Sequence, residues 1–364
     1  GRNRLHDHSG SGGAIRFFQT LDEDEHPVLQ HHLEVIRQGA SYVNKTDFDI
    51  ASAQDLIDYA SLVNAGLTDI NATVIADIDF QDYTVVPIGT SENPYTGTFD
   101  GQVHVFSHLE ITSSQNYTGL FSIIAPGAHI QNFVLDQTCS ITGGSYTAIV
   151  GGTARVSGSV YLTGLGNEGF VQGGQNTGAI FGCEMSASAT VYIDRCYSSG
   201  TVIGTKESGA LTGYISKGYI HNSWSSASIE GYYTSASKPF ALCYCDTKNN
   251  YIVHTDLNPS FDIKQTTAEQ VASGELCYLL NENSGQEEPL WYQTLEEDAH
   301  PVLDSPHGEV RRSDDGTYYN EGNGLQIAGF SPVESESYSL SGLRVTKTQP
   351  GIHIVRTRDG RTYK

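Results

Sequence analysis

Basic side chains are scarce in this sequence of 364 residues. It has 20 Lys and Arg against 42 Asp and Glu, which gives a formal net charge of −22. Nucleic acids and anionic membranes reward clustered Lys and Arg, so neither is an expected partner. A run of about 18 apolar residues, the minimum for a membrane-spanning helix, is also missing, and we expect no membrane insertion. The acid excess is typical of a solvated, soluble surface.

Other absences narrow the chemistry. The six cysteines form no C-x-x-C pair and show no His–Cys metal spacing, so we expect buried or singly paired thiols, with no metal and no cofactor. No H-E-x-x-H motif and no nucleophile elbow is present. The start of the chain has no signal peptide; a mature fragment is the simplest explanation, although a cytosolic protein would look the same.

Glycine is concentrated in one region. Residues 97–231 hold 22 of the 39 glycines, more than helices tolerate. Four short segments in this region can be aligned: "NYTGLFS", "SYTAIVG", "QNTGAIF" and "ESGALTG". The alignment superposes Gly119, Ala148, Gly178 and Gly209, at spacings of 29, 30 and 31 residues. A second set of words, "HIQNFVL", "YLTGLGN", "YIDRCYS" and "YIHNSWS", aligns in the same way. A third set closes each repeat at Ile141, Val171, Val202 and Ile229.

Three strand-like words in each repeat of about thirty residues are typical of a solenoid whose coils bury their apolar positions only against neighbouring coils. We therefore predict an all-β fold, a right-handed parallel β-helix, in which the column from Gly119 to Gly209 stacks vertically. The alternative is a β-sandwich, whose strands would recur every eight to twelve residues or so without the longer period.

The open ends of a solenoid need caps. A capping-box-like start at Ser52 and Asp55 predicts a helix that ends before Gly66, with Leu56 and Tyr59 on its apolar face. "TVIADIDF", residues 73–80, reads as a strand with Val74, Ala76 and Ile78 alternating. Thr266 and Glu269 have the same spacing as Ser52 and Asp55, and they predict a C-terminal cap helix. Gly274 weakens the helical pattern there. A small β tail should follow.

One segment occurs twice. "FFQTLDEDEHPVL", residues 17–29, returns as "WYQTLEEDAHPVL", residues 291–303, with nine of thirteen positions identical. Because the second copy follows the predicted cap, we interpret the segment as the end of a module, and expect both copies to adopt the same backbone. The predicted organisation is the end of a preceding module at 1–39, an N-terminal cap and first strands at 40–96, coils at 97–260, a C-terminal cap helix and closing segment at 261–310, and a linker and β tail at 311–364.

Several of these words resemble a known family. "YTGTFDGQVHVFSHLEI" from Tyr95, "YTGLFSII" with "AHIQNFVLD", and "IDRCYSSGTVIG" are similar to the GLUG-motif repeats of large secreted and surface proteins, common in Gram-negative gut and oral bacteria and also found beside some IgA-cleaving proteases. The sequence departs from that pattern at Gln102–His104, which lacks a second glycine, and at "TGLGNEGF". Residues 338–364 look like the C-terminal tail of exported proteins in the same bacteria. The resemblance implies a secreted or cell-surface protein with further modules upstream.

A β-helix also raises the alternative of a polysaccharide-degrading enzyme, which needs carboxylates about 5–10 Å apart. No two acids of the coil region fall in the same column of adjacent coils, so the sequence favours no catalytic site. The acids Asp22–Glu25 and Glu296–Asp298 are interpreted as solvated charge. They match no calcium loop.

The sharpest candidate site is an outward column. Four residues expected to point into the core are each preceded by an aromatic residue, namely His129, Tyr161, Tyr192 and Tyr219. Because side chains alternate between the two faces of a strand and the coils stack, these four residues should form one solvent-facing stripe. Tyr117 and Tyr146 begin a shorter second stripe. The stripe either stiffens the sheet as a cross-coil ladder or offers a stacking surface to sugar rings or a partner protein. We therefore predict a non-catalytic binding or adhesion module for a glycan or host surface protein, the alternatives being a structural spacer and the enzyme above.

Overall fold

The chain forms a parallel β-solenoid of about six turns. The computed structural model describes residues 47–154, 156–183, 189–231, 245–253 and 262–320, together with a few strands elsewhere. Each strand pairs in parallel with its counterpart one coil away; Ile141, for example, lies between Ile111 and Val171. This confirms the predicted β-helix and shows that the sandwich alternative is wrong, because sandwiches are built from antiparallel sheets.

Three parallel sheets make the walls. Among the described residues, the longest has 13 strands. They are Asp47–Ile50, Asn71–Val74, Ile78–Asp79, Thr98–Ser107, His129–Leu135, Gly158–Asn167, Ala189–Asp194, Tyr197–Ser198, Gly218–His221, Trp224–Ser225, Asp246–Lys248, Asn250–Ile252 and Ile263–Gln265. We call this wall sheet 1.

The other two walls each have five strands in the part of the chain that the structure describes. Sheet 2 contains Glu110–Thr112, Ser140–Thr142, Phe170–Gln172, Thr201–Gly204 and Ser228–Gly231. Sheet 3 contains Phe121–Ile124, Val150–Thr153, Phe181–Cys183, Thr212–Ile215 and Leu242–Cys243. Inward-pointing apolar side chains from all three walls form one continuous core.

The predicted column from Gly119 to Gly209 is confirmed. The backbone N–H of Ala148 donates to the carbonyl of Thr118, that of Gly178 to Thr147 at 3.1 Å, and that of Gly209 to Thr177 at 3.0 Å. Each therefore bonds to the residue just before its counterpart. A Cβ added at Gly119 would meet the carbonyl oxygen of Ala148 at 2.3 Å, so glycine allows this close approach of the coils.

Helix α1, Ala53–Asn64, is the N-terminal cap that the sequence predicts. The Ser52 hydroxyl accepts the N–H of Asp55 at the start of the helix, and Gly66 lies beyond its end with φ +116°. Leu56 and Tyr59 are fully buried in the solenoid core. The predicted strand at 73–80 forms as two shorter pieces, Asn71–Val74 and Ile78–Asp79, and Ile75 between them is 55% exposed.

The C-terminal helices differ from the prediction. Helix α2 is Ala268–Ala272, with Thr267 and not Thr266 as its N-cap, and helix α3 is Glu275–Glu282. Gly274, at φ +85°, separates them. Their apolar side chains do not enter the solenoid core. They join a second cluster on the outer face of sheet 1, so these helices cover part of the side of the solenoid.

The outer cluster is built on one column of sheet 1. Register aligns Val134, Gly166, Tyr197, Trp224 and Tyr251 one above the other, and inward residues such as Cys196 alternate with them. We call Trp291–Leu303 the closing segment; its Trp291, at 0% exposure, packs into this cluster with α3. The first copy of the segment, residues 17–29, lies outside the described residues.

Contacts divide the chain after Asn320. An antiparallel hairpin of Val310–Arg312 and Tyr318–Asn320 belongs to the first unit, because Val310 is buried in the outer cluster. The tail therefore begins at residue 321 and not at 311. Its strands, Glu336–Tyr338, Arg344–Val345, Ile354–Arg356 and Thr362–Tyr363, form one antiparallel sheet. A separate antiparallel pair, Val35–Gln38 and Ser41–Asn44, precedes the solenoid.

Candidate functional site

The predicted outward stripe forms. Tyr161 pairs with His129 on one side and with Tyr192 on the other, and Tyr192 pairs with Tyr219. All four side chains are half-buried, whereas their neighbours such as Ile130 and Ile193 are fully buried. The strand Ala189–Asp194 shows the cause, since buried and half-buried residues alternate along it.

The rings of the stripe stack on one another. Ring centroids are 4.4 Å apart between His129 and Tyr161, 5.1 Å between Tyr161 and Tyr192, and 4.6 Å between Tyr192 and Tyr219. The interplanar angles, 14° to 39°, are those of stacked or tilted rings. Each inner ring therefore turns its faces to its neighbours, and its edge is what remains for a ligand.

The hydroxyl groups of the stripe are unpaired within the described part of the chain. The buried phenols of Tyr59 and Tyr197 each donate a hydrogen bond, to Ile70 and to Glu168. Tyr161, Tyr192 and Tyr219 have no such partner among the described residues. A row of three free hydroxyls thus runs along the outer wall, one in each of three successive coils.

A polar column flanks the stripe two residues further along each strand. Its members, in order along the solenoid, are Asp100, Gln131, Thr163, Asp194, His221 and Lys248. Gln131 donates to Asp100 at 2.8 Å. Rings beside amide, hydroxyl and carboxylate groups are suited to a ligand that has both polar and apolar surface.

Polar and charged side chains surround Tyr219, at one end of the stripe. The His221 ring stacks on Tyr219 with centroids 4.2 Å apart, and its Nε2 lies 2.7 Å from a carboxylate oxygen of Asp246. Asp194 accepts a hydrogen bond from Asn222 at 2.8 Å. Burial raises the pKa of Asp194, and burial together with the charge of Asp194 raises the pKa of Tyr219. This end of the stripe has carboxylates on the two strands that flank Gly218–His221.

The shorter second stripe is also present. The rings of Tyr117 and Tyr146 lie 4.6 Å apart and are tilted by 32°. Both residues have positive φ, as do Asn176 and Glu207 at the next two turns. The column therefore marks a bend of the solenoid, and it is aromatic in two coils only.

Two acids of the coils are engaged in local contacts. Asp100 accepts from Asn132 as well as Gln131, and Glu168 accepts from Tyr197 at 2.6 Å and lies 3.4 Å from Nε2 of His300. One acid interpreted as solvated is not: the Asp298 side chain is 16% exposed and bonds to His307. The outer cluster around Trp224 was also missed, because outward aromatics look the same in sequence whether or not another segment covers them.

Within the described ranges, no group of three or more His, Cys, Asp and Glu residues could hold a metal ion. The helices described there are all too short or too polar to cross a membrane. Cys139, Cys196 and Cys277 are free and buried, and burial raises the pKa of the Cys139 and Cys196 thiols to about 12. Cys245 is disulfide-bonded.

No model of a known protein family matches the chain, and no curated protein matches it either. A solved structure of a putative immunoglobulin A1 protease from Bacteroides ovatus is similar to it, with a TM-score of 0.49 and 16% sequence identity. The alignment covers 70% of this chain and 91% of the other.

Proposed function

We propose that this chain is a secreted or surface-displayed binding module without catalytic activity, and that it holds an extended polysaccharide along the aromatic stripe. The observation that carries the proposal is the row of free hydroxyls of Tyr161, Tyr192 and Tyr219, one per coil, beside the polar column. A polymer with a hydroxyl-rich repeat could meet the same set of groups at each turn. Several identical sites along one polymer, each of which binds weakly, can together give a useful affinity.

The stacking geometry decides how such a ligand would bind. Because the ring faces are covered by neighbouring rings, contacts would come from ring edges and hydroxyls, not from a sugar lying flat on a tyrosine. The carboxylates of Asp100, Asp194 and Asp246 border the stripe, and the chain as a whole carries −22 charges. Like charges repel, so an uncharged polysaccharide is a better candidate than one rich in uronic acids or sulfates.

Two features support export. Disulfides persist mainly outside the reducing cytosol, and Cys245 is disulfide-bonded. The GLUG-like words and the tail at 338–364 resemble those of secreted and surface proteins. The absence of catalysis is proposed because Asp100 and Asp194, two acids of the polar column, already accept hydrogen bonds from Gln131 and Asn222.

The test is a set of conservative substitutions. Affinity electrophoresis with hydroxyethylcellulose, mannan and polygalacturonate would compare the parent with the triple variant Tyr161→Phe, Tyr192→Phe and Tyr219→Phe. Each lost hydroxyl removes a bond of about 0.5–1.5 kcal/mol, so affinity for an uncharged polymer should fall at least about tenfold. Tyr83→Phe, at a phenol that is 45% exposed elsewhere, is the matched control and should bind like the parent.

A structural spacer is the second candidate, and the mutual stacking of the rings favours it. In that case no polysaccharide in the panel is retained, nor is a host surface protein on an array. The variant Tyr161→Ala, Tyr192→Ala and Tyr219→Ala would then lose stability through the missing ladder, at about 0.2–1 kcal/mol per contact. Release of reducing sugars or unsaturated products from any of the three polymers would contradict the non-catalytic proposal.

A further inference from the structure

The aromatic stripe repeats at a nearly constant distance along the axis of the solenoid. His129, Tyr161, Tyr192 and Tyr219 lie on successive coils without a slip in register. Their neighbouring ring centroids are 4.4 to 5.1 Å apart, close to the strand spacing of about 4.8 Å in a β-sheet. The stripe is therefore a straight row of similar groups, and its period is that of the coils.

The row is aromatic over four coils and is polar on both sides of them. Register places Thr98 before His129 and Asp246 after Tyr219. The Asp246 carboxylate is already engaged, because it lies 2.7 Å from Nε2 of His221. A ligand that uses the rings thus has four coils to contact, and a longer ligand gains little beyond them.

Other parts of the chain border the site on one side. Along the strands, the polar column immediately precedes the left-handed residues Arg195, Asn222 and Asn249. The carbonyl of Asn222 accepts the indole N–H of Trp291. The side chain of Asn249 donates to the carbonyl of Leu280 in α3. The closing segment and α3 therefore stand beside the polar column, and the open surface runs along the axis instead of across the strands.

A straight polymer fits such a row better than a coiled one. Pyranose sugars joined through equatorial bonds at C1 and C4 form an extended ribbon, which advances by one ring per sugar, much like the advance from one coil to the next. Sugars joined by α-1,4 or β-1,3 bonds turn away from a line and form open helices. Hydrogen bonds tolerate only about 0.5 Å of variation in length, so a helical polymer cannot reach all three tyrosine hydroxyls at once.

We propose that the ligand is a linear, uncharged, β-1,4-linked glycan, which lies parallel to the solenoid axis and places one sugar on each coil of the stripe. This inference rests on the proposed polysaccharide function, and it adds the linkage, the direction and the length of the bound segment. The hydroxyls of Tyr161, Tyr192 and Tyr219 meet one edge of the ribbon. The polar column, two residues or about 7 Å further along each strand, meets the other edge.

Hexasaccharides of one size and no charge test the linkage. Isothermal titration calorimetry of the full chain compares cellohexaose and β-1,4-mannohexaose with maltohexaose, which is α-1,4-linked, and laminarihexaose, which is β-1,3-linked. The two β-1,4 probes should bind at least about tenfold more tightly, as the loss of two hydrogen bonds requires. The variant Tyr161→Phe, Tyr192→Phe and Tyr219→Phe should lose this preference, and Tyr83→Phe should keep it.

The length of the site gives a second test. Affinity for cello-oligosaccharides should rise up to about four sugars, one for each coil of the stripe, and then level off. Thr98→Tyr adds a ring one coil before His129, so affinity should then rise up to about five sugars. Thr73→Tyr is the matched control and should leave the plateau unchanged. Thr73 is also half-buried, but it lies in line with Asp100 of the polar column.

The outcomes separate this inference from the function on which it rests. Equal affinity for all four hexasaccharides, with a loss in the triple Phe variant, leaves the polysaccharide site in place and overturns the linkage. A β-1,4 preference that the triple variant retains places the ligand elsewhere and overturns the site. A plateau that does not move in Thr98→Tyr overturns the direction.

Weak binding of short probes does not prevent a decision. If no hexasaccharide binds measurably, affinity electrophoresis with hydroxyethylcellulose against pullulan, an α-linked glucan, makes the same comparison with polymers. Retention by hydroxyethylcellulose alone supports the proposal, and equal retention by both overturns it. If neither polymer retains the chain, this inference and the proposed function are both wrong.

Discussion

At the scale of single residues, one column of left-handed residues sets the bend within sheet 1. Asn132, Gly164, Arg195, Asn222 and Asn249 occupy it in successive coils, each with φ between 50° and 63°. Asparagine and glycine adopt this conformation readily, whereas other residues lose about 1–2 kcal/mol there. Arg195 is the exception, and its backbone nevertheless has the same left-handed conformation, with φ 52°.

The substitution Arg195→Asn should therefore stabilise the protein, by about 0.5–1 kcal/mol. The one hydrogen bond lost, from Arg195 to Asn132, is long at 3.5 Å. Urea unfolding followed by circular dichroism measures the change. Arg195→Ala is the control, because it removes the same charge but gains no local preference for the left-handed region. If Ala stabilises as much as Asn, charge and not backbone conformation is responsible.

Gly166 illustrates a different residue-scale constraint. A Cβ added there would meet the Tyr197 ring at 2.3 Å. That ring is held by its bond to Glu168 and by stacking on Trp224 at 5.1 Å, so it cannot move aside cheaply. Gly166→Ala should destabilise the protein by about 1–3 kcal/mol. The loss should shrink in a Tyr197→Ala background, and an unchanged loss would indicate that backbone strain is the cause.

At the scale of elements, the ion pair between the closing segment and the solenoid should make stability depend on pH. Burial lowers the pKa of His300, but the hydrogen bond and charge of Glu168, with smaller contributions from Pro301 and Asp298, outweigh it and raise the pKa above 6.5. Burial raises the pKa of Glu168, yet the bonds from His300 and Tyr197 outweigh it and lower the pKa below 4.5.

The two pKa shifts limit the full stabilising contribution of the His300–Glu168 pair to one pH window. The contribution of His300 is complete below pH 6.5 and is lost as pH rises through its raised pKa. That of Glu168 is complete above pH 4.5 and is lost as pH falls through its lowered pKa. The difference in unfolding free energy between the parent and His300→Gln should therefore be largest near pH 5–6 and smaller at pH 8–9, by about 1 kcal/mol. A difference that is flat with pH would show that the histidine acts only by packing.

The helices also show which structural features could be predicted from the sequence. Helix α1 was predicted with its cap and its buried face, because Ser52, Leu56 and Gly66 carry local signals. One C-terminal cap helix was predicted around Thr266 and Glu269; two short helices form there, and their apolar side chains lie against the outer face of sheet 1. Amphipathic spacing indicates that one face of a helix is buried, but it does not say against which surface. That information lies in contacts between residues far apart, such as Asn249 and the carbonyl of Leu280.

The same limit applies to the candidate site. The stripe from His129 to Tyr219 was predicted because strand alternation and a constant repeat fix both its face and its register. The stacking of its rings could not be predicted, since side-chain rotation is not encoded in the repeat. Nor was it predictable that Tyr197 and Trp224, an equally regular outward pair, would be covered by Trp291.

At the scale of the whole molecule, the solenoid is held by two clusters that overlap only in part. The inner core runs from α1 to Ile263, whereas the outer cluster includes the coils from Val134 to Tyr251. Val105, in the coil before Val134, is 37% exposed and does not belong to the outer cluster. Because the coils of a solenoid contact only their neighbours, loss of one cluster should loosen one end first.

Native-state hydrogen exchange with two variants tests this view. Trp291→Ala should remove about 3–5 kcal/mol of packing and lower the protection of the Trp224 and Tyr251 amides, which donate to the coil below. It should leave the amides of Ile75 and Phe80 nearly unchanged. Leu56→Ala, in α1, should produce the opposite pattern. If either variant lowers protection equally throughout the described coils, the solenoid opens as a single cooperative unit, and the two clusters do not act separately.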